Sequence, residues 1–291
     1  MRAWASKTLA ALLGLFILYT SAFGAFESLI QRAIFLALVV CLGLLMFPLG
    51  EGRRWRPAGV AVDAAMAAVT LAACGYVIVS YDEIMESLPT ATALDIALTA
   101  GLVITVLEVS RRAIGAIFPI IALAGIAYAF FGQYISGPLG HRGFDVYFVT
   151  ETLLLGDLGI WGLLVGVAST TIGAFVLFGS VLLFTGGGQT FMDLAIRVSG
   201  RSPGGAAKMA TVASGLFGTI SGSAVANVAT TGNFTIPLMK RLGYPPALAG
   251  GIEAVASSGG PIAPPVMGAA AFVMPAIIRR SYFAVAIAAF L

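Results

Sequence analysis

The chain has 291 residues, of which 59% are hydrophobic and only 10% charged, with a mean hydropathy of +1.00 and a formal net charge of +3. So apolar a composition excludes an ordinary soluble domain, and the small charge, confined to short loops, excludes a nucleic-acid footprint. An all-α, polytopic transmembrane protein is expected, with the lipid bilayer as its solvent and no nucleic acid as partner.

Taken in order, apolar runs predict spans over 8–23, 34–49, 60–80, 94–109 and 113–131, and a sixth over 158–184 that is long enough to tilt. The first run follows Arg2 and Lys7 and looks at first like a signal peptide. No small-x-small cleavage site precedes polar sequence and many spans follow, so an uncleaved first span is expected. Arg53, Arg54 and Arg56 follow the second span, Asp82, Glu83 and Glu86 the third, and Arg111 and Arg112 the fourth. The positive-inside rule then puts the N-terminus in the cytoplasm and the loop 133–157 outside.

Asp63, Glu108 and Asp157 fall at span edges and read as interface anchors; His141, the single histidine, reads as a surface residue of the outer loop beside Arg142 and Asp145. Cys41 and Cys74 lie in separate apolar runs without a Cys-x-x-Cys or Cys/His cluster, so neither points to a metal.

Beyond the sixth span come Arg197, Arg201 and Lys208, which return the chain to the cytoplasmic side. Between them, 189–198 carries apolar residues at helical spacing beside Asp193 and Arg197, the pattern of a helix lying at the interface or of a connector. The stretch 209–239 is bracketed by Lys208 and by Lys240 and Arg241, so it enters and leaves on one side. Two full crossings need about 40 residues plus a turn. A re-entrant helical hairpin is therefore expected, opening at its tip between Gly218 and Asn227, where irregular backbone must face protein or a watery cavity.

After Tyr244, Pro245 and Pro246 the chain re-enters over 247–259, meets Gly260, Pro261, Pro264 and Pro265, and resumes over 266–278. Prolines remove backbone donors and disfavour helix in the preceding residue, so a discontinuous span is predicted. Arg279 and Arg280 then fall on the outer side, against the charge rule, and the residues from Ser281 are too few for a further crossing.

Interrupted hydrophobic segments point to the site of a secondary transporter. Ser221, Gly222, Ser223, Asn227, Thr230 and Thr231 on the hairpin, and Ser257, Ser258, Gly259 and Gly260 at the break, offer hydroxyl, amide and carbonyl oxygens for a sodium ion. A Na+ site built on Ser221, Ser223, Asn227 and Gly259 is the specific expectation, with no cofactor besides the coupling ion. Opposite half-helix ends present free N–H groups suited to a carboxylate, so an ion-coupled carrier of organic anions follows. The plainer reading is that these small residues simply let helices pack closely. Glu253, the only acid inside the broken helix, is a candidate ligand or a locally paired acid. An enzyme is not expected: the lone histidine lies across the membrane from Ser221 and Ser223, no pair of intramembrane aspartates exists, and no phosphate-binding loop of the Walker type occurs.

The runs GLFGTISGSAVANVATTGNFTIPLMKRLGYPP and AGGIEAVASSGGPIAPPVMGAAAF closely resemble the large membrane subunit of tripartite ATP-independent periplasmic (TRAP) transporters, in particular the fused permeases that work with TAXI-type binding proteins. The resemblance extends over the N-terminal spans. It implies a sodium-coupled, elevator-type importer of organic acid anions such as dicarboxylates, glutamate-like acids or 2-oxo acids, set in the bacterial inner membrane and fed by a periplasmic substrate-binding protein. It further implies that residues 1–112 form a scaffold like the small subunit and 113–291 the first half of the large subunit. By matching position, Ser221, Gly222, Ser223, Asn227, Ser258, Gly259, Gly260, Pro264 and Pro265 would help form the sodium and substrate sites. Members of the fused kind carry a second, inverted half that is not in this sequence. The chain is therefore expected to be a fragment, a split subunit or a truncated product, to need a segment or chain supplying that repeat, and not to transport alone. A non-transporting membrane scaffold, or a remnant of such a permease, is the alternative.

Overall fold

The computed structural model describes residues 2–50, 56–87, 90–199, 202–264 and 267–289. The expectations placed on Arg53, Arg54, Arg201 and Pro265 lie outside the described residues. Every regular element among those described is helical, and six helices are long and apolar enough to cross a membrane, as an all-α membrane protein requires. Contacts divide the chain into two compact units, Met1–Ser169 and Thr170–Leu291.

In the first unit the helices are α1 (Arg2–Phe23), α2 (Ser28–Met46), α3 (Arg56–Val79), α4 (Tyr81–Ser87), α5 (Ala93–Ile114), α6 (Ile117–Phe131), α7 (Val146–Leu154) and α8 (Leu163–Val167). Leu29, Ala33, Leu36, Val40 and Leu44 recur at intervals of three and four on α2, forming a single buried stripe. That stripe packs with Ala73, Cys74 and Val77 of α3, Leu102 of α5, and Leu154 and Trp161. Glycine lets the helices approach: a Cβ on Gly43 would lie 2.7 Å from Val109 Cγ1, and one on Gly101 2.5 Å from Val69 Cγ1.

Helix α5 begins at a capping box in which the Thr92 hydroxyl accepts from Asp95 N–H at 3.4 Å while Asp95 Oδ2 accepts from Thr92 N–H at 2.7 Å. It ends at Gly115, whose φ of 94° stops the helix, so the fifth span starts at Ile117 rather than at 113. Two of the three acids expected as interface anchors, Asp63 and Glu108, share one arginine. Arg112 pairs with Asp63 at 2.6 Å and with Glu108 at 2.8 Å, and its side chain is only 6% exposed. Asp63 Oδ2 also accepts from Leu49 N–H at 3.1 Å, so one guanidinium fastens α3, α5 and the end of the second span.

The loop 133–157 holds α7, capped where Asp145 Oδ1 accepts from Phe148 N–H at 2.8 Å. His141 does more than sit on a surface: it is half-buried, with Nε2 2.9 Å from Tyr128 O, Nδ1 accepting from Gly143 N–H at 3.1 Å, and its ring stacked on Phe144. It pins the loop to the end of α6.

The sixth span, Leu163–Phe184, runs from the first unit into the second and contains a π-helical turn, Ala168–Ile172. In the first unit, Gln31 Nε2 donates to the Ser169 carbonyl of that turn at 2.9 Å. The second unit then comprises α9 (Gly173–Phe184), α10 (Gly187–Ser199), α11 (Gly205–Ser221), α12 (Ala224–Arg241), α13 (Pro246–Gly259), α14 (Ala270–Ile278) and α15 (Tyr282–Ala288). Helix α10 covers the segment read as interfacial or connecting, and it packs Met192 and Ala195 on Met209, Ala213 and Phe217 of α11. Helices α14 and α15 meet at 113°, turning at Arg279 with φ of 53°.

Candidate functional site

Helices α11 and α12 form an antiparallel hairpin about Gly222. Ser214, eight residues before the turn, lies beside Asn227 and Thr231 after it: Asn227 Nδ2 donates to Ser214 O at 2.8 Å, and the Ser214 and Thr231 hydroxyls are 3.2 Å apart. The break has a local cause. Gly222 adopts φ of 63°, its N–H bonding back to Gly218 O, and Ser223 then caps the second arm by accepting from Ala226 N–H at 3.3 Å. The arms run from Gly205 to Arg241, longer than the sequence reading of 209–239. At 17 and 18 residues, each rises about 26 Å, short of a hydrocarbon core of about 30 Å.

The interruption after α13 also takes the expected place. Helix ends at Gly259, a single 3₁₀ turn spans Gly260–Ile262, and Gly268 N–H closes the following loop by donating to Pro261 O at 2.6 Å. Met267, buried, takes φ of 63°, a left-handed conformation that costs a non-glycine residue free energy; the sequence offered no sign of it.

The two interruptions touch. A Cβ on Gly218 would fall 2.5 Å from Gly260 Cα, one on Gly260 would fall 2.4 Å from Ser214 O, and one on Gly222 would fall 3.2 Å from Ala269 N. Backbone meets backbone here with no room for a side chain, the use of glycine that close approach demands. Alongside, a cavity of ≈ 770 Å³ between α11 and α13 extends from Lys208 to Gly259 and Gly260.

About two helical turns before this junction the three helices enclose an acid. Glu253 is fully buried, and its Oε1 accepts from Ser257 Oγ at 2.9 Å, from Ser214 Oγ at 3.1 Å and from Thr231 Oγ1. Its Oε2 accepts from Thr235 Oγ1. All four hydroxyl residues are themselves fully buried. Asn227, equally buried, donates Nδ2 to Ser214 O and, at 3.4 Å, to Ser257 O, while its Oδ1 finds no donor among the described residues.

The sequence-predicted residues therefore fall into three groups. Ser221, Gly222 and Ser223 form the hairpin turn, where Ser221 Oγ donates to Ser223 O at 3.4 Å. Asn227 and Thr231 join Glu253 in the interior. Thr230 and Ser258 instead donate to their own helices, at Ala226 O and Ala254 O, and take no part in that cluster. Gly259 is exposed at the end of α13, Gly260 is buried against Ser214 and Gly218, and Pro264 is half-buried in the loop.

Sequence reasoning missed Ser214 and Thr235 and gave Ser257 a role only at the break. The signal was present: Asn227, Thr231 and Thr235 recur every four residues on α12, as Glu253 and Ser257 do on α13, which puts each set on one face. The π turn at 168–172 was missed too; the small polar run Ser169, Thr170, Thr171 within an apolar span was its only mark.

Residues 101–291 match the family described as the DctM component of tripartite ATP-independent periplasmic transporters. Among curated proteins, the chain is 32% identical over 121 residues to the 2,3-diketo-L-gulonate TRAP transporter large permease protein YiaN of Escherichia coli, covering 42% of this chain and 26% of that one. It is 37% identical over 91 residues to the C4-dicarboxylate TRAP transporter large permease protein DctM of Pseudomonas aeruginosa, covering 31% of this chain and 21% of that protein. An uncharacterized protein of Salmonella typhimurium, YgiK, is 38% identical over 91 residues, with the same two coverages of 31% and 21%. These matches span about a fifth to a quarter of each relative's length. No solved structure matches the chain.

Proposed function

The chain belongs to the DctM-component family of tripartite ATP-independent periplasmic transporters, and from that premise we propose that it is the ion-handling part of a sodium-coupled permease for organic acid anions. The family is one of multi-pass inner-membrane permeases, not enzymes. The substrate is delivered by a periplasmic binding protein, and a chain or segment carrying the second inverted repeat completes the transport path. Dicarboxylates, glutamate-like acids and 2-oxo acids are the substrate classes, and a TAXI-type binding protein is the partner. Residues 1–112 serve as a static scaffold and 113–291 as the moving part; what supports this division is a family match that begins at residue 101.

The observation that carries the reading is the junction of two interrupted helices at Gly218, Gly222 and Gly260. Breaks of this kind free carbonyl oxygens at helix C-termini for a cation and N–H groups at helix N-termini for a carboxylate. Ser221, Ser223, Asn227 and Gly259 are the proposed sodium ligands, with Gly222, Thr230, Thr231, Ser258, Gly260, Pro264 and Pro265 completing the ion and substrate region.

The test is uptake of a labelled C4-dicarboxylate, and in parallel of 2-oxoglutarate, into proteoliposomes holding the full-length permease and supplied with its binding protein. An inward sodium gradient should drive uptake, and Ser223→Ala should lower it at least tenfold with insertion unchanged. Equal uptake when potassium replaces sodium overturns the coupling ion, and full activity of Ser223→Ala overturns the site.

A further inference from the structure

We propose that Glu253 is the anionic ligand of a second site, holding one monovalent cation, with the hydroxyls of Ser214, Thr231, Thr235 and Ser257 as its neutral ligands. The inference rests on the reading of the second unit as ion-handling; it shares Asn227 and Thr231 with the region proposed above but centres on Glu253, away from the hairpin turn, and it is tested by cation binding, not by transport.

A carboxylate removed from water is costly unless a positive charge accompanies it. Glu253 is fully buried, and among the described residues no Lys, Arg or His pairs with it. The charged side chains of the packed elements are Asp193 and Arg197 on α10, Lys208 on α11, and Lys240 and Arg241 on α12, all of them exposed. Hydroxyls soften the charge by donating to it, yet they leave it in place. The compensating charge must come from an ion.

The hydroxyls are equipped for this. Each carries one proton and two lone pairs, and two of them have a second acceptor within reach. Thr231 Oγ1 can donate to Asn227 O at 2.8 Å, and Thr235 Oγ1 to Thr231 O at 3.0 Å. When a cation enters, the threonine protons turn to those carbonyls and the freed lone pairs, with the carboxylate, face the ion. When it leaves, the same protons return to Glu253. Asn227, whose Nδ2 donates to the carbonyls of Ser214 and Ser257, supplies a second observation: its Oδ1 is a buried acceptor with no donor among the described residues, an oxygen left over for a ligand.

The donor set also selects the ion. It is all oxygen with a single carboxylate, and among the described residues no group of three His, Cys, Asp or Glu exists to hold a transition metal. One carboxylate balances one charge, whereas divalent ions gather several. Sodium and the proton share this chemistry. Either would report its presence to the junction, since Asn227 bonds the carbonyls of both Ser214 and Ser257 and its amide lies against Gly260.

The experiment measures the thermal unfolding midpoint of the full-length protein in detergent, in two arms. One titrates sodium against potassium at constant ionic strength and fixed pH; the other lowers the pH from 8 to 5.5 in potassium alone. Ligand binding to the folded state should raise the wild-type midpoint by about 5 °C or more at a hundredfold excess over half-saturation. The arm in which Glu253→Gln loses response identifies the ion held at this site. Glu253→Gln, which keeps the shape and loses the charge, should lose a saturable part of the wild-type response. Thr235→Val, a milder change, should raise the half-saturating concentration about tenfold in the same arm, and decides the matter if Glu253→Gln does not fold. A Glu253→Gln response equal to wild type in both arms overturns the proposal, as does a wild type that responds in neither. Loss of sodium-driven uptake in Ser223→Ala with the Glu253 response intact would leave this site standing and locate the transport ion elsewhere.

Discussion

The two compact units bury different chemistry, and the contrast separates a staple from a switch. The first unit has an aliphatic and aromatic interior of Leu29, Leu36, Val77, Leu102, Leu154 and Trp161; it holds a half-buried arginine between two carboxylates, and its fully buried acid, Asp95, is spent on the capping box at the start of α5. The second has small apolar clusters around Met209, Met239 and Met267, and at its centre Ser214, Asn227, Thr231, Thr235, Glu253 and Ser257 are fully buried. Charge paired with charge fixes a geometry. Charge paired only with hydroxyls stays responsive to a cation, and it stands beside backbone that has already left the helix.

The most disruptive way to probe that contrast is to unpair the staple. Arg112→Met would leave Asp63 and the inner oxygen of Glu108 facing each other without their shared cation, although Glu108 keeps Arg111 at 2.7 Å. Removing one partner of a buried pair is costly, so the first unit should lose about 3 kcal/mol of stability. Chemical unfolding in mild detergent measures this, and the cation response of the second unit should stay as it was. A cation response that changes with Arg112 would break the division of labour.

How far this was legible in the sequence depends on what each feature needs. The spans and both interruptions are local: apolar runs, Gly222 followed by the capping Ser223, and Pro261 with Pro264 announce themselves along the chain. The fifth helix start was misplaced because Gly115, at φ of 94°, acts through a backbone conformation that composition does not reveal. The interior of the site is three-dimensional. Ser214 and Thr235 are 39 and 18 residues from Glu253, and nothing but the packing of α11, α12 and α13 tells that their hydroxyls converge on it. Asp63, expected as an interface anchor, and Arg112, expected as a charge of the loop after the fourth span, are 49 residues apart and meet only in the fold.

A smaller effect comes from the interior itself. Asn227→Ala removes the amide that bridges Ser214 O and Ser257 O, and with it the polar tie between both arms of the hairpin and α13. The loss of these bonds, and of a filled volume in a fully buried place, should cost about 2 kcal/mol. Unlike Arg112→Met, it should also weaken the cation response about tenfold, because the orphaned Oδ1 goes too. A variant that loses stability but binds cation as before would reduce Asn227 to a brace and sharpen the site to Glu253 and its hydroxyls.

The least effect on stability is expected at Ser258, and it separates the two proposed ion positions. Ser258 follows Ser257 on α13, so it points about 100° away around the helix. It is exposed, and its hydroxyl donates to Ala254 O at 2.8 Å. Ser258→Ala should therefore change stability by no more than about 0.5 kcal/mol, and it should leave the Glu253 response untouched. Its lone pairs, however, lie at the end of α13 where the helix opens at Gly259 and Gly260. If sodium is held there by side chains as well as carbonyls, the sodium concentration that half-saturates uptake should rise about tenfold in this variant. Unchanged uptake would mean that the break contributes backbone oxygens alone, a role that the glycines at 259 and 260 can fill without any hydroxyl.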